Sequence, residues 1–201
     1  MSELSGRSSS VIDPARTALL VMDCQRLIVE GYAKNPELFL RGSAAVIAAA
    51  RKAGIKVIFI TVGFREGFPE ISGNNLIFSG VRKAGILVRG QHAAEIPEAI
   101  APAAHDVVIE KHRVGSFEGT DLAVVLRAAD VRTLVMFGIA TSGVVLSTVR
   151  QASDLDYELI VLEDLCSDKD DEVHGVLVRK VFPSQARVVS SSEFTAEILA
   201  S

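Results

Sequence analysis

Thiols are scarce in this chain: Cys24 and Cys166 are the two cysteines in 201 residues. That is too few for a disulfide framework, and their spacing fits no zinc motif. Basic charge is in no excess either. The 21 lysines and arginines against 25 aspartates and glutamates leave a formal net charge of −4, with an isoelectric point near 5.6. Such a chain carries no electrostatic footprint for nucleic acid or an anionic membrane. No apolar run approaches the ~20 residues of a membrane span. The N-terminal stretch MSELSGRSSS is polar and lacks the apolar core of a secretory signal. A nucleotide cofactor is disfavoured, because no P-loop sequence occurs and no GxGxxG follows the first apolar run. His92, His105 and His112 show no metal-ligand spacing, and His174 in its acidic surroundings reads as part of a solvated helix face. The expectation is a reduced, cytoplasmic protein without cofactor or metal, whose partner is a small molecule.

What is present is an ordinary globular balance, 49% hydrophobic and 23% charged, which argues against disorder. The length suits one domain over 1–201, with 1–14 expected as a frayed tail. Six short, β-branched-rich runs recur at 17–22, 57–62, 107–110, 133–137, 159–162 and 187–190. They are apolar nearly throughout, as central strands covered on both faces must be. Between them lie helix-patterned segments at 38–54, 120–130, 142–156 and 170–182. Strand–helix alternation of this kind predicts a parallel sheet with helices on both faces. No linker or internal repeat interrupts it. One irregular region, GFREGFPEISGNNLIFSG (63–80), is rich in Gly, Pro and Asn, and long loops in compact domains are usually functional.

Ligands of such sheets bind beyond the carboxyl ends of the strands. That rule selects Asp23, Cys24 and Gln25 after the first strand and Gly63, Phe64 and Arg65 after the second. The third ends in Glu110, Lys111, His112 and Arg113, and the fifth leads to Glu163 and Asp164. The fourth runs into GIATSGVVLST (138–148), a strand-to-helix corner where α/β enzymes often place a nucleophile. Asp23 alone could simply cap a turn, and Lys111 alone could be a solvated strand-end cation. Together on one edge they form a coupled pair, since a lysine beside a carboxylate favours its ionised form while desolvation tunes either group.

Three blocks, TALLVMDCQ, KHRVGSFEGTDL and GIATSGVVLSTVRQASDLDYELIVLEDLCSD, resemble the signature blocks of the isochorismatase-like (cysteine) hydrolases, in order and spacing, from about Thr17 to Val189. The resemblance implies a Rossmann-like, three-layer α/β/α sandwich on a six-stranded parallel sheet, and a homodimer or larger homo-oligomer. By motif, Asp23 and Lys111 match the family's catalytic aspartate and lysine. The catalytic cysteine falls where this chain has Val144, and a cis peptide is implied between Ile139 and Ala140. With Gly143 and Val144 these two residues would form the corner that turns amides toward a substrate oxygen. The metal-binding residues of the family's nicotinamidases have no counterpart in 63–80.

Valine cannot form a thioester, so a covalent route is closed at this position. Cys24 should point away from Asp23 by strand alternation, and Cys166, after the fifth strand, should lie too far off. Ser142 and Ser147 are the nearby hydroxyls; Ser142 is more simply an N-cap, and Ser147 lies one turn deeper on the same face. The resemblance offers an alternative in the isochorismatases proper, which also lack the cysteine and use an aspartic acid as general acid. Asp23 with Lys111 would act likewise on a small, carboxylate-bearing substrate. Gln25, Phe64, Phe68, Phe117, Thr141 and Ser142 would line the pocket. Arg65 and Arg113 would clamp the carboxylate, unless they pair with surface acids instead. Water activated by Asp23 could also cleave a different bond. A third reading is a catalytically silent small-molecule binder or assembly protein that kept the fold.

Overall fold

The computed structural model describes residues 12–200. Residues 1–11 of the expected tail lie outside the described residues. Ile12 is buried, and Asp13 accepts a hydrogen bond from the Ala15 N–H over a short 3-10 turn, Pro14–Arg16. Residues 12–14 are therefore part of the folded domain.

Six strands form one all-parallel sheet: β1 (Thr17–Met22), β2 (Lys56–Val62), β3 (Val107–Lys111), β4 (Thr133–Ile139), β5 (Glu158–Ser167) and β6 (Arg187–Val189). Every apolar run read from the sequence falls on one of them. β1 is buried at all six positions, as its uninterrupted apolar sequence demands. β5 extends five residues past its apolar run, through exposed Glu163 and Asp164 and back to buried Leu165 and Cys166. Its pairing with β4 slips between Met136 and Gly138, and the added length restores contact with the end of β4.

The spatial order is β3-β2-β1-β4-β5-β6. Right-handed crossovers wind outward in opposite directions from the centre, so helices cover both faces. The winding reverses between β1 and β4, where the carboxyl ends of an open sheet leave a crevice for a ligand.

Among the described residues seven α-helices surround the sheet: α1 (Arg26–Tyr32), α2 (Pro36–Lys52), α3 (Leu76–Ala84), α4 (Leu122–Ala128), α5 (Leu146–Asp154), α6 (Asp171–Val176) and α7 (Ser191–Ala200). α2 starts with Asn35 accepting the Leu38 N–H and Pro36 in the first turn, and it buries Phe39, Val46, Ile47 and Ala50. α3 lies within and beyond the stretch expected to be irregular; Asn75 caps it by accepting the Phe78 N–H at 3.0 Å. The rest of that stretch is folded over a small second core of Val62, Phe64, Ile71, Phe78 and Leu87.

Candidate active site

β1 ends at Met22, and Asp23 leaves the strand with φ 53°, a left-handed conformation that aspartate tolerates better than most residues. Its N–H stays bonded to Ile60 O of β2 at 2.8 Å. The carboxylate is almost fully buried, and its Oδ2 accepts a hydrogen bond from Lys111 Nζ at 2.8 Å. Lys111, 1% exposed at the end of β3, donates a second bond to the Arg113 carbonyl at 3.0 Å. Asp23 Oδ1 is buried without a hydrogen-bond partner, which leaves its lone pairs unused. Burial pushes the Asp23 carboxyl above its ordinary value, against the opposing pull of the Lys111 charge and hydrogen bond. A carboxyl raised this way keeps its proton to higher pH than an exposed one.

The corner follows on the adjacent strand. The register pairs Met22 with Gly138, so Asp23 and Ile139 are the next residues outward. The Ile139–Ala140 peptide is cis. The chain then makes a kinked turn over Thr141–Val145, in which Gly143 departs from helical angles (φ −97°, ψ −105°), before α5 begins. The Gly143 and Val145 N–H groups both reach the Ala140 carbonyl, at 3.0 and 3.3 Å. Asp168 Oδ2 accepts the Ser142 N–H at 2.7 Å. None of these bonds uses the Val144 N–H. Val144 itself is buried, with 2% exposure.

The exit of β3 packs against this corner. A methyl placed on Gly143 would lie 3.9 Å from Val114, and one on Gly115 would lie 3.5 Å from Ser147. Ser116 Oγ bonds both Thr148 Oγ1 at 2.9 Å and Met22 Sδ at 3.4 Å. Three buried side chains thus tie the ends of β1 and β3 to the first turn of α5. Thr148 is the last residue of the corner that the strand-end rule selects, whereas Ser116 lies five residues past the end of β3, beyond that rule's reach.

The remaining expected residues divide. Gln25 is spent on the fold: its amide accepts from Val62 N–H and donates to the Val62 and Ala94 carbonyls. Phe64 packs with Phe68 and Phe78 in the second core, and Phe117 stacks on Tyr157 in the main one. They form two hydrophobic clusters rather than one aromatic pocket. Arg65 pairs with Glu70 at 2.5 Å, so it does not serve a clamp. Arg113 donates to the carbonyls of Glu70 and His112, and both partners are neutral. Ser142 is exposed and is not the N-cap; Ala140 occupies that position. Thr141 is buried, and its Oγ1 lies 2.8 Å from His174 Nδ1, so His174 is half-buried rather than solvated. Ser147 is half-buried against Gly115.

Both thiols need revised reasons. Alternation does not govern Cys24, since the strand has already ended. Cys24 is buried and its thiol is pushed up well above the usual range, first by burial and then by the neighbouring Asp23 charge. Cys166 lies in β5, paired in register with Gly138, and so is one strand from the corner. Burial pushes its thiol up to about 12. Both thiols are therefore harder to ionise than an exposed one.

Two of the clefts on the surface lie near strand ends. The larger, of about 430 Å³, runs between α2, the end of β5 and α6, with Asp168 and His174 in its wall. The smaller, of about 130 Å³, lies by Gln25, Arg89 and Glu110. Neither is lined by Asp23, Lys111 or Val144. Among the described residues no group of three or more His, Cys, Asp or Glu side chains is arranged to hold a metal. No described helix is long and apolar enough to cross a membrane.

A six-stranded parallel sheet with this strand order and a buried carboxylate–lysine pair beside a cis-peptide corner is the arrangement that the resemblance of the sequence blocks implies. The isochorismatase domain model matches residues 17–193, and the chain belongs to the isochorismatase family. It is 33% identical over 174 residues to the ureidoacrylate amidohydrolase of Caulobacter vibrioides, spanning 76% of this chain and 77% of that one. The N-carbamoylsarcosine amidase of Thermoplasma acidophilum superposes with a TM-score of 0.72 at 27% identity, over 88% of this chain and 96% of that one. A cysteine hydrolase from Pseudomonas syringae shares the fold with a TM-score of 0.84 at 24% identity, over 95% and 96% of the two chains.

Proposed function

We propose that this family member hydrolyses a small, carboxylate-bearing metabolite by acid–base chemistry at Asp23 and Lys111, without a covalent enzyme intermediate. The observation that carries the reading is the buried 2.8 Å Lys111–Asp23 bond with Asp23 Oδ1 left unpartnered, beside a corner that holds valine. Lys111 donates its protons to Asp23 and a main-chain carbonyl, so it orients one carboxylate oxygen and leaves the other to move a proton. Water is then the nucleophile. The Val144 N–H, which none of the corner's bonds described above uses, suits a developing negative charge on a substrate oxygen, and Arg113 supplies a cation for the carboxylate. The two relatives named after substrates, ureidoacrylate and N-carbamoylsarcosine, act on small carboxylates, which supports this substrate class.

On this reading Asp23→Asn remains folded but loses turnover of a substrate found by metabolite screening, and Lys111→Ala loses orders of magnitude. Near-normal turnover by Asp23→Asn would end the mechanism. A second reading, a silent binder or assembly protein, draws on one observation: the cleft of about 430 Å³ is lined by Asp168 and His174 and not by Asp23, Lys111 or Val144. Total absence of turnover across the screen, with retained binding, would favour it. Assembly as a homo-oligomer belongs to either reading, and Leu76 and Ile77, 89% and 65% exposed at the start of α3, offer apolar surface for it.

The valine can be interrogated directly. Iodoacetamide should leave the wild-type protein intact, because both natural thiols are buried and hard to ionise. Val144→Cys should place a thiol at the mouth of α5 with Asp23 as neighbouring base, and peptide mapping by mass spectrometry should find it alkylated ahead of Cys24 and Cys166. A new cysteine that reacts no faster than those two would show that residue 144 is not the reactive slot.

A further inference from the structure

Two hydrogen bonds hold the corner from outside, and both come from the stretch that leaves β5 and enters α6. Asp168 caps the Ser142 N–H, and His174 Nδ1 meets Thr141 Oγ1 at 2.8 Å. Thr141 is 0% exposed and is the second residue after Ile139. The acid–base chemistry uses neither His174 nor Thr141. We propose that His174 is a positioning residue of the corner: its bond to Thr141 sets the turn 141–145 that presents the Val144 N–H. The proposal rests on reading that corner as the reactive turn.

The turn is poorly able to hold itself. Its N-cap is Ala140, which has no side-chain acceptor, and Gly143 breaks the helical path inside it. Glycine brings the widest choice of backbone angles to be restrained. Thr141 is β-branched, with few rotamers, so fixing its hydroxyl also fixes the orientation of its backbone. That makes one side-chain contact an efficient restraint on the whole turn.

The surroundings of His174 support this role. Asp168, Asp171 and Glu163 face it from the β5–α6 side, and Lys34 faces it from the α1–α2 connection. Burial outweighs the three carboxylates and pushes the imidazole below its ordinary value, so it is neutral at neutral pH. A neutral imidazole can bond a hydroxyl as donor or acceptor, whereas a protonated one can only donate and is drawn toward the carboxylates.

Amide hydrogen exchange tests the idea without a substrate. The reporters are the Gly143 and Val145 N–H groups, both bonded to Ala140 O. His174→Ala should speed their exchange about tenfold, the weight of one hydrogen bond, while amides within β4 stay unchanged. Thr141→Val should do the same, and the double variant should add nothing. His174→Asn, whose amide can still meet the Thr141 hydroxyl, should restore most of the protection. After correction for intrinsic exchange rates, wild-type protection should fall as the imidazole protonates in acid, and that of His174→Asn should not. Unchanged exchange in His174→Ala overturns the proposal. So do effects that add in the double variant, or a loss that asparagine does not repair, since either means that His174 merely fills space. None of these readouts involves turnover, so failure of the Asp23 mechanism and failure of this proposal are separable.

Discussion

Gly138→Ala is expected to leave little or no folded protein. Gly138 sits at φ 148°, a backbone conformation that residues with a Cβ rarely adopt. An added methyl would lie 2.8 Å from the Met22 carbonyl carbon and 2.9 Å from Met22 Cβ, and closer still to the Met22 carbonyl oxygen. Two of these are main-chain atoms of the neighbouring strand, so no rotamer change relieves the clash. The strands themselves must separate, and β1 and β4 are buried from Leu134 to Ile139 and at every position of β1. Ordinary overpacking costs about 1–3 kcal/mol when side chains can yield. Here the cost should exceed about 4–5 kcal/mol, a large part of the roughly 5–15 kcal/mol that stabilises a domain. Soluble yield and thermal unfolding measure it. Gly143→Ala is the control, because a methyl there meets its nearest neighbour at an ordinary 3.7 Å. If the two variants melted within a few degrees of each other, the close approach at Gly138 would not be the constraint it is taken to be.

Lys111→Met should cost about 3–5 kcal/mol at neutral pH, because removing one partner of a buried ion pair strands the other charge. The loss should depend on pH in a definite direction. In the wild type Lys111 supplies both influences that lower the Asp23 pKa, against the larger effect of burial. Without it burial acts alone, and the carboxyl rises further above the value it has in the unfolded chain. A carboxyl raised on folding adds stability at pH below its unfolded value and loses that contribution as pH rises through its folded value. The deficit of Lys111→Met relative to wild type should therefore shrink on acidification and grow toward neutrality. Denaturant titrations of both proteins across that range would show it; a deficit independent of pH would mean that Asp23 is not the stranded group.

Apolar continuity made the sheet legible, since strands buried on both faces have nowhere to place a polar residue. The same criterion failed on β5, where Glu163 and Asp164 face solvent and ended the reading five residues early. It failed again on α3, whose first residues are apolar yet exposed, so that no buried stripe marked the helix. α7 carried a signal that was not used: the Ser190 hydroxyl accepts the Glu193 N–H while Glu193 accepts the Ser190 N–H and Oγ–H, the reciprocal capping box. In the site, position at a strand end was enough to single out Asp23 and Lys111, 88 residues apart. It was misleading for Gln25 and Phe64, because a residue can occupy a strand end and still turn inward to brace the fold. His174 escaped for the converse reason. Its acidic neighbours in sequence suggested solvent, whereas its partner, Thr141, lies in another element.

The reversal in strand order also bears on how the chain acquires its shape. β1 is the first strand made and lies at the centre of the sheet, with Thr17 paired to Thr133 on one side. During synthesis β1 and β2 can associate early, but the other edge of β1 has no partner until β4 has emerged. For that interval a strand apolar but for Thr17 presents an open ladder of N–H and C=O groups, the kind of template that recruits foreign strands. Asp23 and the end of β3 with Lys111 meet the corner only when that gap closes. Pairings so distant in sequence also form slowly, so the same event that completes the crevice at the strand ends also ends the period in which the nascent chain is most prone to aggregate.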